Sequence, residues 1–124
     1  MRALALAGWF ACCTALAEPS CPVVTRTAYA PWVFMGYLCT DACVEHKAGF
    51  AWAERSGIAD SKACNAGGRA FVEGCRVYAE SAVTAEQAGF EWARENELTE
   101  TCACAGAGRA FREGCAAYVE VLGE

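Results

Sequence analysis

Residues 64–75 read CNAGGRAFVEGC, and forty positions later residues 104–115 read CAGAGRAFREGC. Each stretch encloses Gly-Arg-Ala-Phe-x-Glu-Gly between two cysteines in the same register. The similarity extends outward, because residues 48–80 align with residues 88–120 at a constant offset of 40, and 16 of the 33 aligned pairs are identical. An internal repeat of this period is typical of a duplicated supersecondary unit such as a helix pair. We therefore expect two copies of one unit.

The second half of each unit has helical periodicity. Residues 71–78 place Phe, Gly, Cys and Tyr at i, i+3, i+4 and i+7, which is one face of an α-helix. Glycine in mid-helix costs about 1 kcal/mol relative to alanine, so its presence in both copies indicates a close approach between helices. In an antiparallel pair, distances along the helix axes predict Trp52 over Gly74. The same distances predict Tyr78 over Gly49.

The first half of each unit is also expected to be helical. In the second copy, residues 84–87 read TAEQ, a capping-box sequence whose side chains satisfy backbone amides at a helix start. In the first copy Val44 replaces that threonine, so the helix is expected to start earlier, near Thr40 or Asp41. It is expected to end at Gly57, which is a natural stop signal.

These patterns predict an all-α fold of two tandem helical hairpins, stapled by disulfides, behind an irregular aromatic N-terminal arm. The arm is residues 18–40, the first hairpin residues 41–80 and the second residues 81–124. The arm contains all three prolines, which restrict any strands there to short segments near residues 23–26 and 32–35. Its aromatic side chains are expected to pack over the helices, and an exposed aromatic binding surface is the alternative.

Residues 1–17 have the pattern of a secretory signal peptide. Arg2 precedes an almost wholly apolar stretch of 14 residues, and residues 15–17 read ALA, a small-x-small cleavage site. The stretch is shorter than the ~20 residues that a membrane span needs. A lipoprotein carrying its lipid on Cys12 or Cys13 is the alternative. We therefore expect a periplasmic or secreted protein, with no membrane insertion after the signal peptide is cleaved.

Net charge and cysteine content exclude two classes of partner and indicate disulfide bonds. The formal net charge is −5 at pH 7, and cleavage after residue 17 would leave nine basic residues against fifteen acidic ones, a net charge of −6. Nucleic acids and anionic membranes require clustered Lys and Arg, so neither is expected as a partner. Cleavage would also leave eight of the ten cysteines. In an exported chain of this size, eight cysteines indicate a disulfide framework.

The repeat suggests how these cysteines pair. Cys64 and Cys75 both have copies, so the simplest hypothesis joins Cys64 to Cys75 and, in the second unit, Cys104 to Cys115. The rival bond between Cys43 and Cys75 would span ~10 Å along the hairpin, which is beyond disulfide reach. The pairing of the remaining four cysteines stays open among three connectivities: Cys21, Cys39, Cys43 and Cys102.

One group of residues in the sequence could bind a metal ion. Cys39, Cys43 and His46 are spaced i, i+4 and i+7, and they would share a helix face if the helix starts early. Two thiolates and an imidazole suit Cu(I) or Zn, with Cys102 as a candidate further ligand. In an oxidising compartment, disulfides and an incidental surface histidine are the simpler interpretation. We assign no catalytic residue, metal ligand or cofactor, because neither an activated serine nor a phosphate-binding glycine loop stands out.

The pattern Cys-x3-Cys-x5-Gly-Phe-x-Trp-Ala, followed by Cys-x10-Cys, resembles small exported bacterial proteins of unknown function over about residues 39–80. More remotely, the period and the Ala, Gly, Tyr and Trp content resemble disulfide-bridged Sel1-like helical repeats, which implies architecture alone. Neither resemblance implies an activity. We therefore predict a non-enzymatic exported protein that binds, and by binding can inhibit, another exported protein. A soft-metal protein using Cys39, Cys43 and His46 is the alternative.

Overall fold

The computed structural model describes residues 31–81 and 83–122, and this part of the chain is mostly helical. The described residues form four α-helices: α1 (Val44–Ser56), α2 (Arg69–Glu80), α3 (Ala85–Glu95) and α4 (Arg109–Leu122). Two short strands, β1 (Trp32–Phe34) and β2 (Tyr37–Cys39), pair in an antiparallel sheet. Single helical turns lie between these elements at Asp41–Cys43, Ser61–Ala63 and Thr101–Cys104. Helix α1 packs against α2, and α3 packs against α4.

The short strand suggested near residues 32–35 is confirmed as β1, and its pairing with β2 makes residues 32–39 of the arm a β-hairpin instead of an irregular segment. Met35 and Gly36 supply the two-residue turn, and both have the positive φ that such a turn needs. Trp32 and Phe34 are buried, which confirms the expectation that aromatic side chains of the arm pack over the helices. The suggested strand at residues 23–26 and the signal peptide both lie outside the described residues.

The helix ends follow the sequence with one exception. Helix α1 ends at Ser56, where Gly57 takes the left-handed conformation, and the capping box at the start of α3 is present as predicted. The expected start of α1 near residue 40 or 41 is wrong, because the helix begins at Val44. The three preceding residues all have left-handed φ: Asp41 at 49°, Ala42 at 52° and Cys43 at 61°. A disulfide between Cys39 and Cys43 closes this loop, and the helix starts only after it.

The close approach that the mid-helix glycines predict is confirmed, but its register differs. A Cβ atom on Gly49 would lie 1.9 Å from the Phe71 carbonyl oxygen, and one on Gly74 would lie 1.9 Å from the His46 carbonyl oxygen. Each glycine therefore faces the backbone of the partner helix. The expectation that Trp52 and Tyr78 lie over these glycines is wrong. The expectation derived the register of the two helices from the positions of their ends. In the structure, the register instead places Gly49 against Phe71 and Gly74 against His46.

The second helix pair has the same contacts. A Cβ atom on Gly89 would lie 1.9 Å from the Phe111 carbonyl oxygen, and one on Gly114 would lie 1.8 Å from the Glu86 carbonyl oxygen. Neither position can hold a larger residue without a shift of the backbone. The glycine contacts therefore set the spacing of both helix pairs.

The core lies between the two helix pairs and is centred on Phe111. The ring of Phe111 has its centroid about 6 Å from three other buried rings, those of Phe34 at 6.1 Å, Phe50 at 6.0 Å and Trp92 at 5.9 Å. Strand β1 is fastened to the end of α3 by Asn96, whose side chain both donates to the Val33 carbonyl and accepts from the Val33 amide. The hairpin is thereby held over the start of α1.

Candidate binding site

Three disulfides join cysteines of the described residues. The structure bonds Cys64 to Cys75 and Cys104 to Cys115, the same pairs as in the sequence hypothesis, and in both the Cα atoms are 5.7 Å apart. Each bond ties the loop before a helix to the second turn of that helix. The third bond joins Cys39 to Cys43, a pairing that the sequence left open. Cys102 is also disulfide-bonded, and Cys21 lies outside the described residues.

Cys39, Cys43 and His46, the candidate metal ligands, each have another partner in the structure. Cys39 and Cys43 are bonded to each other, so neither offers a thiolate in this oxidised state. His46 lies on the first turn of α1, and its Nε2 is 2.8 Å from Glu73 Oε2 on α2. Within residues 31–81 and 83–122, no group of three or more His, Cys, Asp or Glu side chains is arranged to hold a metal ion.

His46, Glu73 and Arg69 form a polar cluster, which we call the His46 cluster. The Arg69 Nε donates to Glu73 Oε1 at 2.9 Å, while the other carboxylate oxygen of Glu73 faces the imidazole. The hydrogen bond from His46, supported by Arg69, lowers the pKa of Glu73 although partial burial opposes that shift. An ionised Glu73 accepts, so Nε2 carries a proton. The Nδ1 atom of His46 is buried and has no hydrogen-bond partner within the described structure.

The β-hairpin covers the His46 side chain of this cluster. The ring centroids of Phe34 and Tyr37 lie 5.7 Å and 5.9 Å from that of His46, and only 3% of His46 is exposed. The interpretation of His46 as an incidental surface histidine is therefore wrong. Its imidazole is packed under the hairpin and fixed by a carboxylate from the other helix of the pair.

Two neighbouring concave surfaces open beside the cluster. One, of about 500 Å³, is lined in part by Tyr37, Arg69 and Glu73, and the other, of about 220 Å³, in part by Asp41 and Glu45. Three residues line both and form their shared wall: Leu38, His46 and Ala70. The two cavities therefore adjoin each other, and we call them together the depression, which lies between the hairpin, the start of α1 and the start of α2.

Exposed apolar side chains flank this depression. Leu38 is 71% exposed and Val44 is 50% exposed, although both are large and hydrophobic. Asp41 lies between them in the sequence and Glu45 follows Val44; both carboxylates are exposed and make no ion pair with another described residue. We call the surface formed by these residues the hairpin face: Leu38, Asp41, Val44 and Glu45.

Sequence reasoning missed a second buried charge. The Lys47 ammonium lies 3.5 Å from the centre of the Trp92 ring and donates to the Ala105 carbonyl at 3.2 Å. Only 1% of Lys47 is exposed, and this burial lowers its pKa to about 8. Its position between His46 and Phe50, on the same helix stripe as the core, was the available signal. Lys47 thereby connects the first helix pair to the second.

Sequence reasoning also missed the role of Glu73. Its spacing from Arg69 indicates only an i, i+4 pair on a helix surface, and Glu73 has an identical copy at Glu113. The two glutamates differ in the residue available on the neighbouring helix. Glu73 faces His46, and the residue aligned with His46 in the second helix pair is Glu86. The site is therefore formed where the two copies differ.

Comparison of the chain with models of protein families, with curated proteins and with solved structures returns no match. The resemblances given above for the cysteine pattern stay predictions. Among the described residues, no helix has both the length and the apolar character that crossing a membrane requires.

Proposed function

We propose that this is a non-enzymatic exported protein that binds another exported protein through its hairpin face. Three disulfides among the described residues are compatible with an extracellular or secreted location. The signal peptide at residues 1–17 belongs to the same proposal. Inhibition of the partner is one form that this binding would take.

The observation that carries the proposal is the exposure of Leu38 beside a depression. Large apolar side chains that stay exposed next to a concave surface are typical of protein interaction sites. Val44 extends the apolar surface, and the hairpin and two helix ends hold it on rigid elements. Such a surface can bury an apolar side chain of a partner at the centre of an interface.

The charges of the hairpin face indicate the chemistry of the partner. Asp41 and Glu45 are exposed carboxylates without an ion-pair partner among the described residues. Arg69, the basic residue of the depression, is already paired with Glu73. A complementary partner segment would therefore combine a bulky apolar side chain with flanking Lys or Arg residues.

We also propose that the two helix pairs are tandem copies of one hairpin. The constant offset of 40 residues and the matching contacts of Gly74 and Gly114 support this. In this architecture the repeated residues supply a rigid frame, and binding is left to residues that exist once. The hairpin face meets that description, because among the described residues α3 is preceded by the end of α2 and not by a pair of strands.

Peptide selection tests the proposed function. Short random peptides displayed on phage are selected against the purified, oxidised protein, and we expect enriched sequences to combine an aromatic or branched apolar residue with Lys or Arg. Leu38→Asp should weaken binding of the enriched peptides at least about tenfold. The matched control is Leu122→Asp, which changes an equally large residue that is 58% exposed at the far end of α4 and should leave binding unchanged.

Three results would contradict the proposal. Enrichment of acidic peptides would contradict the charge argument, and equal binding to the wild type and to Leu38→Asp would exclude the hairpin face. Failure to enrich any peptide would count against a peptide-binding role. As a quantitative check, Asp41→Asn combined with Glu45→Gln should slow association and reduce its dependence on salt.

One observation favours soft-metal binding as a second candidate. The buried Nδ1 of His46 has no hydrogen-bond partner within the described structure, and Cys39, which is bonded to Cys43, lines the same cavity as His46. This candidate requires both cysteines to be reduced, because thiolates are the ligands. A thiol count on the native protein decides between the candidates. No free thiols together with no bound copper or zinc would exclude the metal site.

A further inference from the structure

The loop closed by Cys39 and Cys43 differs from the other two disulfide loops in its backbone. Three successive residues that are not glycine have left-handed φ there, from Asp41 to Cys43. In the loops 64–75 and 104–115, the positive φ values fall on Gly67 and Gly106. Because the left-handed region is unfavourable for residues with a Cβ atom, the Cys39–Cys43 loop holds strain that the other two avoid.

The same disulfide is also the most accessible of the three. Cys39 is partly exposed and lines the smaller cavity of the depression, whereas the other five cysteines in the three bonds are buried. Cys39 is therefore the side of this bond that an incoming thiol can approach, because Cys43 is fully buried. Strain and exposure both make a disulfide easier to reduce.

The sequence of the strained segment favours another conformation once the bond is open. Ala42 is the best helix former, and Asp41 places a carboxylate where the first turn of a helix prefers it. The residue pattern predicts that α1 begins near residue 40 or 41, yet the helix begins at Val44 directly after the disulfide loop. The disulfide therefore opposes the local preference of the chain.

We propose that Cys39–Cys43 is a thiol–disulfide exchange site for a dithiol reductant, and that its reduction lets residues 41–43 join α1. Cys64–Cys75 and Cys104–Cys115 stay oxidised under the same conditions. This goes beyond the proposed binding function and does not depend on it. Where the hairpin face does bind a partner, exchange would rearrange Asp41 and Val44 within that face.

The chemistry balances as two successive displacements. A thiolate of the reductant attacks Cys39 Sγ, so a bond forms between them, the Cys39–Cys43 bond breaks, and Cys43 leaves as a thiolate that takes a proton from solvent. The second thiol of the reductant then loses its proton and attacks the reductant sulfur that is bonded to Cys39. This step releases Cys39 as a thiolate, which is protonated in turn. Two electrons and two protons pass to the protein, and the reductant ends as a disulfide.

A redox titration with site mapping tests the proposal. The oxidised full chain is equilibrated with graded ratios of reduced to oxidised dithiothreitol, free thiols are trapped with a maleimide, and the labelled cysteines are identified by peptide mass spectrometry. We expect labelling of Cys39 and Cys43 at ratios at least about tenfold less reducing than those that open the two longer loops. Opening of all three bonds together, or of Cys39–Cys43 last, would overturn the proposal.

A substitution tests the cause. Ala42→Gly removes the Cβ atom at a left-handed residue and weakens the competing helix, so it should shift the exchange equilibrium toward the disulfide at least about fivefold. The matched control is Ala105→Gly in the Cys104–Cys115 loop, where φ is −70° and no strain is relieved. That change should leave the titration of Cys39–Cys43 unchanged. An unshifted equilibrium in Ala42→Gly would refute the role of strain.

A structural readout follows the same titration. In the reduced protein, the Cα chemical shifts of residues 41–43 should move to helical values, while those of residues 69–80 stay unchanged. Continued non-helical shifts at Ala42 after reduction would refute the conformational part of the proposal. A binding experiment is not needed for either result, so failure of the exchange site and failure of the hairpin face can be told apart.

Discussion

The two helix pairs of this protein share a frame, by which we mean their glycine contacts and disulfides, and they differ in the residues that cover it. In both, a mid-helix glycine on each helix meets the backbone of its partner, and a disulfide with Cα atoms 5.7 Å apart ties the second helix to its preceding loop. Position 46 in the first pair is a buried histidine, however, whereas the aligned position 86 is an exposed glutamate. Among the described residues, the first helix pair therefore has a buried histidine in its polar cluster where the second pair has an exposed glutamate.

The hairpin accounts for the difference. Phe34 and Tyr37 cover His46, and Glu73 beneath them has a side chain that is only 14% exposed. The aligned Glu113 is 56% exposed, and its ion pair within the described part of the chain is with Arg109. Identical residues in the two copies thus have different surroundings. The comparison teaches that the residues shared by the two helix pairs determine how the helices pack, while residues that differ between them determine the surroundings of Glu73 and Glu113.

The largest expected effect tests the shared frame. Gly74→Ala and Gly114→Ala should each destabilise the protein by at least about 3 kcal/mol, because the new methyl carbon would lie within 2 Å of a carbonyl oxygen on the facing helix. Helix propensity alone predicts the opposite sign, a gain of about 1 kcal/mol. Denaturant unfolding measures the difference. As a control, Val72→Ala on the same helix should cost less than half as much, and a neutral Gly74→Ala would break the comparison.

The next effect concerns the connection between the pairs. Lys47 has its pKa lowered to about 8 by burial, so the unfolded state binds more protons than the folded state between about pH 8 and 10.5. Stability should therefore rise with pH across that window, by up to about 3 kcal/mol. Lys47→Met keeps the apolar stem and removes the titration, so its stability should lack this rise. Parallel pH profiles for the two proteins would contradict the burial of a charged Lys47.

The third effect tests the asymmetry directly. Glu73→Gln should cost about 1.5–3 kcal/mol near neutral pH, because it removes the partly buried, charge-assisted hydrogen bond with His46 as well as the exposed one with Arg69. Glu113→Gln is the matched control and should cost less than about 0.5 kcal/mol, since its ion pair is exposed.

The pH dependence of that third effect has a definite sign. His46 lowers the pKa of Glu73 in the folded state, so its contribution is present above the unfolded value near 4.5. It is lost as the pH falls through the lower folded pKa. The gap between Glu73→Gln and the wild type should therefore close in acid. Equal costs for the two Gln variants at neutral pH would remove the asymmetry.

The sequence predicts the frame well because its signals are local. The i, i+3, i+4 spacing around Gly74, the capping box at Thr84 and the stop at Gly57 each act within one or two turns, and the structure has all of them. The site depends instead on contacts between distant residues. Lys47 meets Ala105 across 58 positions, and Val33 meets Asn96 across 63. No local pattern specifies such contacts, so the burial of His46 could not be predicted.

The smallest effect separates the two copies at one helix end. Gly57 follows the end of α1, and the aligned Glu97 lies just beyond the end of α3. The next residue makes the same hydrogen bond in both cases: Ile58 donates to the Ala53 carbonyl and Leu98 to the Ala93 carbonyl, each at 3.0 Å. Both closing residues are left-handed, with φ of 63° and 50°. Only glycine adopts that conformation without cost, so Glu97→Gly should stabilise the protein by about 0.5–1 kcal/mol.

The reverse change on the first copy completes this test. Gly57→Ala should destabilise by about 1 kcal/mol, because a Cβ atom is added at the equivalent left-handed position. Glu97→Ala separates backbone from charge, since it removes the carboxylate but keeps the Cβ atom, and should therefore not reproduce the gain. Thermal unfolding of the three variants decides the matter. If Glu97→Ala stabilises as much as Glu97→Gly, charge and not backbone conformation distinguishes the two helix ends.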